Sequence, residues 1–187
     1  AAVIFLYASA VDAQSLVDVT LVAPGSSWKY LDNGSNQGSS WKASTFNDGT
    51  WATGNAELGF GQGDESTIVS YGPNSSNKYV TTYFRKTVSI ITPGQSYSSL
   101  KLQIKRDDGA IVYINGAERF RTNMPIGTVA YNTYASSCAS DNGTVWQSIN
   151  LLPSYFANGT NYIAVEIHQC NATSSDLSFD LQLTATP

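Results

Sequence analysis

Alternating apolar and polar positions mark much of the chain. Residues 99–105 place Leu100, Leu102 and Ile104 between lysines and a glutamine, and residues 177–184 alternate in the same way. A period of two is typical of half-buried antiparallel strands. The same pattern, or a short extended apolar run, predicts further strands at 15–22, 28–31, 58–61, 79–91, 145–151 and 161–169.

The clearest local feature is the dipeptide Asn115-Gly116 between the extended runs 110–114 and 117–121. Both residue types accept positive φ, so the dipeptide predicts a hairpin with a type I′ turn. A helical turn fits the sequence only at 153–157. We therefore predict an all-β fold, a single antiparallel β-sandwich of about eight to ten strands with jelly-roll-like character.

An uncharged apolar segment opens the sequence, and its first charged residue is Asp12. Its β-branched and aromatic side chains favour a strand, and a strand with two apolar faces needs cover on both. We predict that residues 1–13 form an additional strand that inserts into a neighbouring copy, and that residues 14–187 form the sandwich domain. The side chains of this assembly strand are Val3, Ile4, Phe5, Leu6, Tyr7 and Val11.

Two other interpretations of this segment stay open. It also resembles the end of a secretory signal peptide, because small residues stand at Ala8, Ala10 and Ala13. It could instead pair within its own sheet. The run is far shorter than the ~20 residues that a membrane-spanning helix needs, so we expect no span here.

Charge and length narrow the possible functions. The chain has 187 residues, enough for one core, and a formal net charge of −4 at pH 7. Lysine and arginine are scattered rather than clustered, which argues against a nucleic-acid partner. Abundant serine, threonine, asparagine and glycine are typical of a secreted all-β protein.

Two further features favour an extracellular location. Cys138 and Cys170 are the two cysteines, and we predict that they form a disulfide; two buried free thiols are the alternative. Five Asn-x-Ser/Thr sequons lie in polar, turn-like stretches and predict N-glycans, although solvated turns alone would explain them. The predicted acceptors are Asn33, Asn74, Asn142, Asn158 and Asn171.

Candidate chemistry in the sequence is sparse. The single histidine, His168, shares a strand face with Glu166, which fits a structural histidine better than a metal ligand. The pairs Asp107-Asp108 and Asp64-Glu65 offer oxygen ligands suited to Ca²⁺, but turn stabilisation is the plainer interpretation. We predict no catalytic residues, no metal and no cofactor, with Ca²⁺ as an open alternative.

Aromatic residues are candidates for sugar contacts. Trp28, Trp41 and Trp51 could stack on sugar rings, although tryptophans are more often part of a core. Trp41, Phe46 and Trp51 are spaced for neither a helix nor a strand. We expect these three to anchor a long loop to the body of the domain.

Several stretches together resemble the galactose-binding-like β-sandwich modules of large secreted proteins. The resemblance covers residues 22–184 and keeps their order. It implies a β-sandwich fold and a non-catalytic accessory role. The architecture, an apolar leader followed by a sandwich, is also similar to donor-strand-linked pilus and fibril subunits. The stretches are 28–35, 46–51, 58–61, 83–86, 107–109, 113–116, 164–169 and 174–180.

The sequence thus leads to two functional hypotheses. The first is a structural subunit of a secreted, glycosylated filament, in which copies of the chain polymerise head to tail through the N-terminal strand. The alternative is a non-catalytic carbohydrate-binding module of a secreted protein. Neither hypothesis requires an enzyme.

Overall fold

The computed structural model describes residues 17–90 and 97–187, which form twelve strands in two sheets of six strands each. The strands are β1 (Val19–Val22), β2 (Ser27–Leu31), β3 (Ala52–Asn55), β4 (Leu58–Phe60), β5 (Thr67–Ile68), β6 (Thr81–Ile90), β7 (Ser99–Asp107), β8 (Gly109–Ile114), β9 (Ala117–Thr122), β10 (Gln147–Leu151), β11 (Gly159–His168) and β12 (Leu177–Thr186).

Both sheets are built from strands that are distant in sequence. The first sheet has the order β10-β7-β12-β4-β5, and β1 also pairs with β12. The second sheet has the order β3-β2-β6-β11-β8-β9. Neighbours are antiparallel except for the short parallel pair β4 and β5. The predicted all-β, antiparallel sandwich is therefore confirmed.

Apolar side chains from the facing sides of the two sheets form the main core. Phe179 of β12 stacks on Phe84 of β6 at 4.1 Å between ring centroids, and Trp28 meets the edge of Phe179 at 4.9 Å. Alternate residues of β7, such as Leu100 and Leu102, are fully buried in this layer. Each large apolar side chain buried here contributes about 1.5–3 kcal/mol. Trp28 is thus a core residue and has no free face for a sugar.

The predicted hairpin is present. Asn115 has φ of 50° and Gly116 has φ of 85°, the left-handed values that a type I′ turn requires. The Asn115 side chain also accepts a 3.0 Å hydrogen bond from the Tyr162 backbone N–H, which ties the turn to β11. This second contact is nonlocal and strengthens a turn that the local sequence already favours.

Other boundaries differ from the prediction in detail. The strand expected at 145–151 begins at Gln147, and the one expected at 79–91 begins at Thr81. The helical turn is a 3-10 helix, Pro153–Tyr155. The sequence did not predict β3, β5 or a second 3-10 helix, Ser40–Lys42, because short elements stabilised by tertiary contacts carry little local pattern.

Within the residues that the structure describes, we find no helix with the length and apolar character needed to cross a membrane. The predicted assembly strand and the predicted domain boundary between residues 13 and 14 lie outside the described residues. Insertion of that strand into a neighbouring copy accordingly stays a prediction.

Candidate functional site

The three central strands of the second sheet, β6, β8 and β11, are buried on both faces over much of their length, whereas antiparallel sheets commonly have one solvated face. In β6, every residue of the first half of the strand is buried. One face packs in the main core. The opposite face, which we call the outer face, carries Tyr83 and Arg85 of β6, Tyr113 of β8, and Glu166 and His168 of β11. Strand pairing places Glu166 directly between Tyr83 and Ile111.

Two irregular segments cover the outer face. The first spans 32–51 and includes the 3-10 helix Ser40–Lys42, which inserts Trp41. The Trp41 ring lies 4.7 Å from the Tyr83 ring and 6.5 Å from the Trp51 ring, measured between centroids. The second segment, 123–136, contributes Met124 and other apolar residues to the same cluster. The predicted anchoring role of Trp41 and Trp51 is therefore present, but they anchor to the outer face.

Arg85 fixes the first covering segment to the sheet. Its guanidinium is buried and donates to the Asp48 carboxylate at 2.8 Å, to the Ala43 carbonyl at 3.2 Å and to the Trp41 carbonyl. It also lies 5.3 Å from the centre of the Phe46 ring. A planar guanidinium with several donors suits this divergent set of acceptors, which a lysine cannot satisfy.

Glu166 lies at the centre of a buried polar network. The Tyr113 hydroxyl donates a 2.6 Å hydrogen bond to Glu166 Oε1. His168 Nε2 lies 3.4 Å from Glu166 Oε2. His168 Nδ1 is 2.7 Å from the Thr133 carbonyl oxygen, which can only accept, so Nδ1 carries a hydrogen. A histidine held in this way fits the structural role expected for it.

The environment keeps both nearby phenols in their neutral form. Burial, followed by the neighbouring Glu166 charge, raises the pKa of Tyr83 to about 12. The same two causes, in the same order, raise the pKa of Tyr113. Both hydroxyls therefore carry their hydrogens at neutral pH, and the Tyr113 hydroxyl donates its hydrogen to Glu166.

A cleft of about 310 Å³ opens between the two covering segments, above Glu166. Ligand pockets occupy roughly 300–1,000 Å³, so this cleft has the size of a small ligand site. Tyr131, which is 38% exposed, stands at its rim, whereas Trp41 and Tyr83 are almost fully buried in its wall. Asn36, Ser39 and Lys42 add polar groups to the lining. The arrangement offers an exposed aromatic ring and hydrogen-bonding groups in one concave site, with the almost fully buried Glu166 carboxylate at its floor.

The five predicted glycan acceptors do not lie in this cleft. All five asparagines are exposed, as an acceptor must be. The side chains of Asn33, Asn74 and Asn171 each accept a hydrogen bond from the backbone N–H two residues later. These three asparagines therefore stabilise turns. Glycosylation at these positions stays a prediction.

The predicted disulfide between Cys138 and Cys170 is present, with 4.9 Å between the Cα atoms. Beside it, Asp108 accepts hydrogen bonds from the backbone N–H groups of Ala139 at 2.7 Å and Cys170 at 2.6 Å. The two sulfurs and this carboxylate lie close enough to suggest a metal site. The sulfurs are bonded to each other, however, so they are unsuited to ligation, and the cluster is explained by the disulfide.

The other acidic pair expected as a Ca²⁺ candidate also stabilises a turn. The Glu65 carboxylate accepts hydrogen bonds of 2.8 Å from the backbone N–H groups of Gln62 and Gly63. Backbone donors thus occupy oxygens of both acidic pairs. Binding of Ca²⁺ stays an open alternative that these contacts do not favour.

Sequence reasoning found parts of the site but not their assembly. It identified Trp41, Trp51, Glu166 and His168 as candidates, yet it missed Arg85 and Tyr113. The alternation along β6 and β11 placed Arg85 and Glu166 each on one face of its strand, but no local signal showed that this face is covered rather than solvated. The contacts that would have shown it join residues 44 and 53 positions apart in the chain.

Taken together, the two facing sheets and the covered outer face define a β-sandwich with a small concave site. No protein-family model and no curated protein matches the chain. Solved structures do match its fold: a calcium-binding mutant of Bacteroides uniformis beta-glucuronidase 2 aligns over 92% of the chain, with 16% identity and a TM-score of 0.57.

Two other beta-glucuronidases are similar to the chain. One, from glycoside hydrolase family 2, covers 91% of it at 15% identity and a TM-score of 0.56. An uncultured Clostridium sp. beta-glucuronidase covers 98% at 10% identity and a TM-score of 0.54. The chain spans only 18%, 18% and 31% of the three proteins, respectively. At these identities the likeness establishes the fold, and it gives no support to a pilus or fibril subunit.

Proposed function

We propose that the chain is a non-catalytic carbohydrate-binding module of a secreted, glycosidase-like protein, and that the outer-face cleft is its binding site. The observation that carries the proposal is the cleft itself, a space of about 310 Å³ that is lined by the exposed Tyr131 ring and by the almost fully buried Glu166 carboxylate. A sugar ring has an apolar face and a polar edge. The aromatic ring suits the first, and the side chains of Asn36, Ser39 and Lys42 suit the second.

A binding role agrees with the groups that the cleft contains. Glycoside hydrolysis usually uses two carboxyl groups about 5–9.5 Å apart. Among the described residues that line the cleft, Glu166 is the one carboxylate. Both of its oxygens already face protein groups, Tyr113 and His168. The hydrogen bond from the Tyr113 hydroxyl therefore holds Glu166 in a fixed position at the floor of the cleft.

An extracellular location is part of the same proposal. The disulfide between Cys138 and Cys170 is of the kind that persists in an oxidising compartment. The similar solved structures are glycosidases, and the chain spans a small part of each, as an accessory module does. Secretion as part of a larger protein is the interpretation that fits both observations.

A glycan array followed by calorimetric titration tests the proposal. Tyr131→Ala should weaken binding about 5- to 30-fold, the effect of losing one or two kcal/mol at a contact residue. Tyr134→Ala is the matched control, because Tyr134 lies on the same segment, is 40% exposed and does not line the cleft. Equal losses in the two variants would place binding elsewhere, and no glycan bound by the parent protein would refute the proposal.

The filament hypothesis is retained as a second proposal, supported by the apolar segment at residues 1–13 of the sequence. It predicts that deletion of residues 1–11 converts filaments into monomers, as seen by electron microscopy and light scattering. Monomers before and after the deletion would discard it without affecting the binding proposal.

A further inference from the structure

A second cleft adjoins the first on the outer face. It has a volume of about 430 Å³ and lies beside the β8–β9 hairpin, where Tyr113 and Gly116 contribute to its lining. The two clefts share Lys42, from the first covering segment, and Thr128 and Val129, from the second. A ligand that occupies both clefts must therefore pass over the Lys42 side chain.

Lys42 is held at this junction by an aromatic ring. Its ammonium nitrogen lies 4.4 Å from the centre of the Tyr113 ring, within the range of a cation–π contact. The Tyr113 hydroxyl is in turn fixed by Glu166. The ammonium position is thus determined by the same network that forms the floor of the first cleft.

The other charges around the second cleft neutralise one another. Arg121 and Glu118 form a bidentate ion pair. Arg121 Nε and one terminal nitrogen of Arg121 each donate a 2.8 Å hydrogen bond to a different oxygen of Glu118. Arg121 also donates to the Pro125 carbonyl. Lys42, by contrast, has no ion-pair partner among residues 17–90 and 97–187. Of the two cations that line the clefts, Arg121 has a carboxylate partner and Lys42 has none among the described residues.

We propose that the two clefts form one groove for an anionic oligosaccharide of at least two sugar units, whose carboxylate or sulfate group binds the Lys42 ammonium. This inference rests on the proposed function and narrows it to a class of ligand. A single sugar fills one cleft and leaves the other empty, whereas a disaccharide reaches across the shared residues. An anionic group at the junction adds the attraction between two opposite charges to the hydrogen bond that the ammonium would also make with a neutral hydroxyl.

The test uses a glycan array of uronic-acid-containing, sulfated and neutral oligosaccharides of one to four units. The tightest acidic binder is then titrated beside its carboxyl-reduced or desulfated counterpart. We expect the acidic form to bind at least about tenfold tighter, with an affinity that falls as salt is raised. Lys42→Met should remove both the preference and most of the salt dependence. Lys78→Met is the matched control, because Lys78 also lies over a tyrosine ring, at 5.6 Å, but outside both clefts.

The outcomes separate this inference from the proposed function. Neutral glycans bound as tightly as acidic ones, or an acid preference that survives in Lys42→Met, would overturn the anionic assignment while leaving a carbohydrate-binding module. Single sugars bound as tightly as disaccharides would overturn the two-cleft groove. An array with no bound glycan would refute the proposed function and this inference together.

Discussion

Removing the Arg85 guanidinium should release the first covering segment from the second sheet. The side chain is buried on the outer face and donates to three groups of that segment, the Asp48 carboxylate and the carbonyls of Trp41 and Ala43. In Arg85→Ala all three acceptors lose their donor. The cavity left behind would also remove support from the ring of Phe46.

The cost follows from the burial of these partners. A buried polar group that loses its hydrogen bond costs about 1–3 kcal/mol, and losing one member of a buried ion pair costs about 3–5 kcal/mol. Asp48 has a side chain that is 29% exposed, so water replaces part of what it loses. We expect Arg85→Ala to lower the free energy of unfolding by about 3–5 kcal/mol, with a Tm lower by roughly 6–20 °C.

Urea denaturation and hydrogen exchange of the amides at 40–48 measure this effect. Arg85→Lys keeps the charge but not the fork of donors, and it should fall between the parent and Arg85→Ala. Lys101→Ala, on the exposed side of β7, is the control and should change stability by no more than about 0.5 kcal/mol. If Arg85→Ala matched this control, the guanidinium would not hold the covering segment.

Two further predictions concern stability. Burial raises the pKa of Asp107 from 3.8 to about 9, and a hydrogen bond to Asp108 and the charge of Asp108 act in the same direction. Between about pH 4 and pH 9 the folded chain therefore keeps a proton on Asp107, whereas the unfolded chain has released it. This stabilisation is complete below about pH 4 and is lost as pH rises toward 9; burial raises the pKa of Asp180 and acts in the same direction. Denaturation from pH 5 to 9 should show declining stability in the parent and a flatter profile in Asp107→Asn, and an equally steep decline in the variant would contradict the assignment. The Cys138–Cys170 disulfide closes a separation of 32 residues and so restricts the unfolded chain. The double variant Cys138→Ala with Cys170→Ala should therefore lower the free energy of unfolding by about 3–4 kcal/mol, measured by thermal or urea denaturation. An unchanged midpoint would contradict this prediction.

The parts of the fold that the sequence predicted are those with local causes. Asn115-Gly116 determines its turn by its own φ preferences, and the alternation in β7 and β12 reports directly on burial. The disulfide followed from the count of cysteines. The turn and the alternation need no knowledge of a distant residue, and the disulfide needs only the pairing of the two cysteines in the sequence.

The candidate site depended on contacts that local patterns do not show. In the sequence, Arg85 is indistinguishable from an ordinary charged residue on the polar face of a strand. It is buried because the first covering segment, 32–51, folds back over it. Likewise, Tyr113 and Glu166 come together only through the pairing of β8 with β11. The same alternation describes a solvated face and a covered one, so the second layer of packing could not be predicted.

The most direct test of a sugar site on the outer face is an NMR titration of the ¹⁵N-labelled chain with the tightest glycan from the array. We expect the largest shifts on the backbone amides of the cleft residues Lys42, Tyr83, Tyr131 and Glu166. Shifts centred on the first sheet, or on exposed loops away from Tyr131, would contradict it.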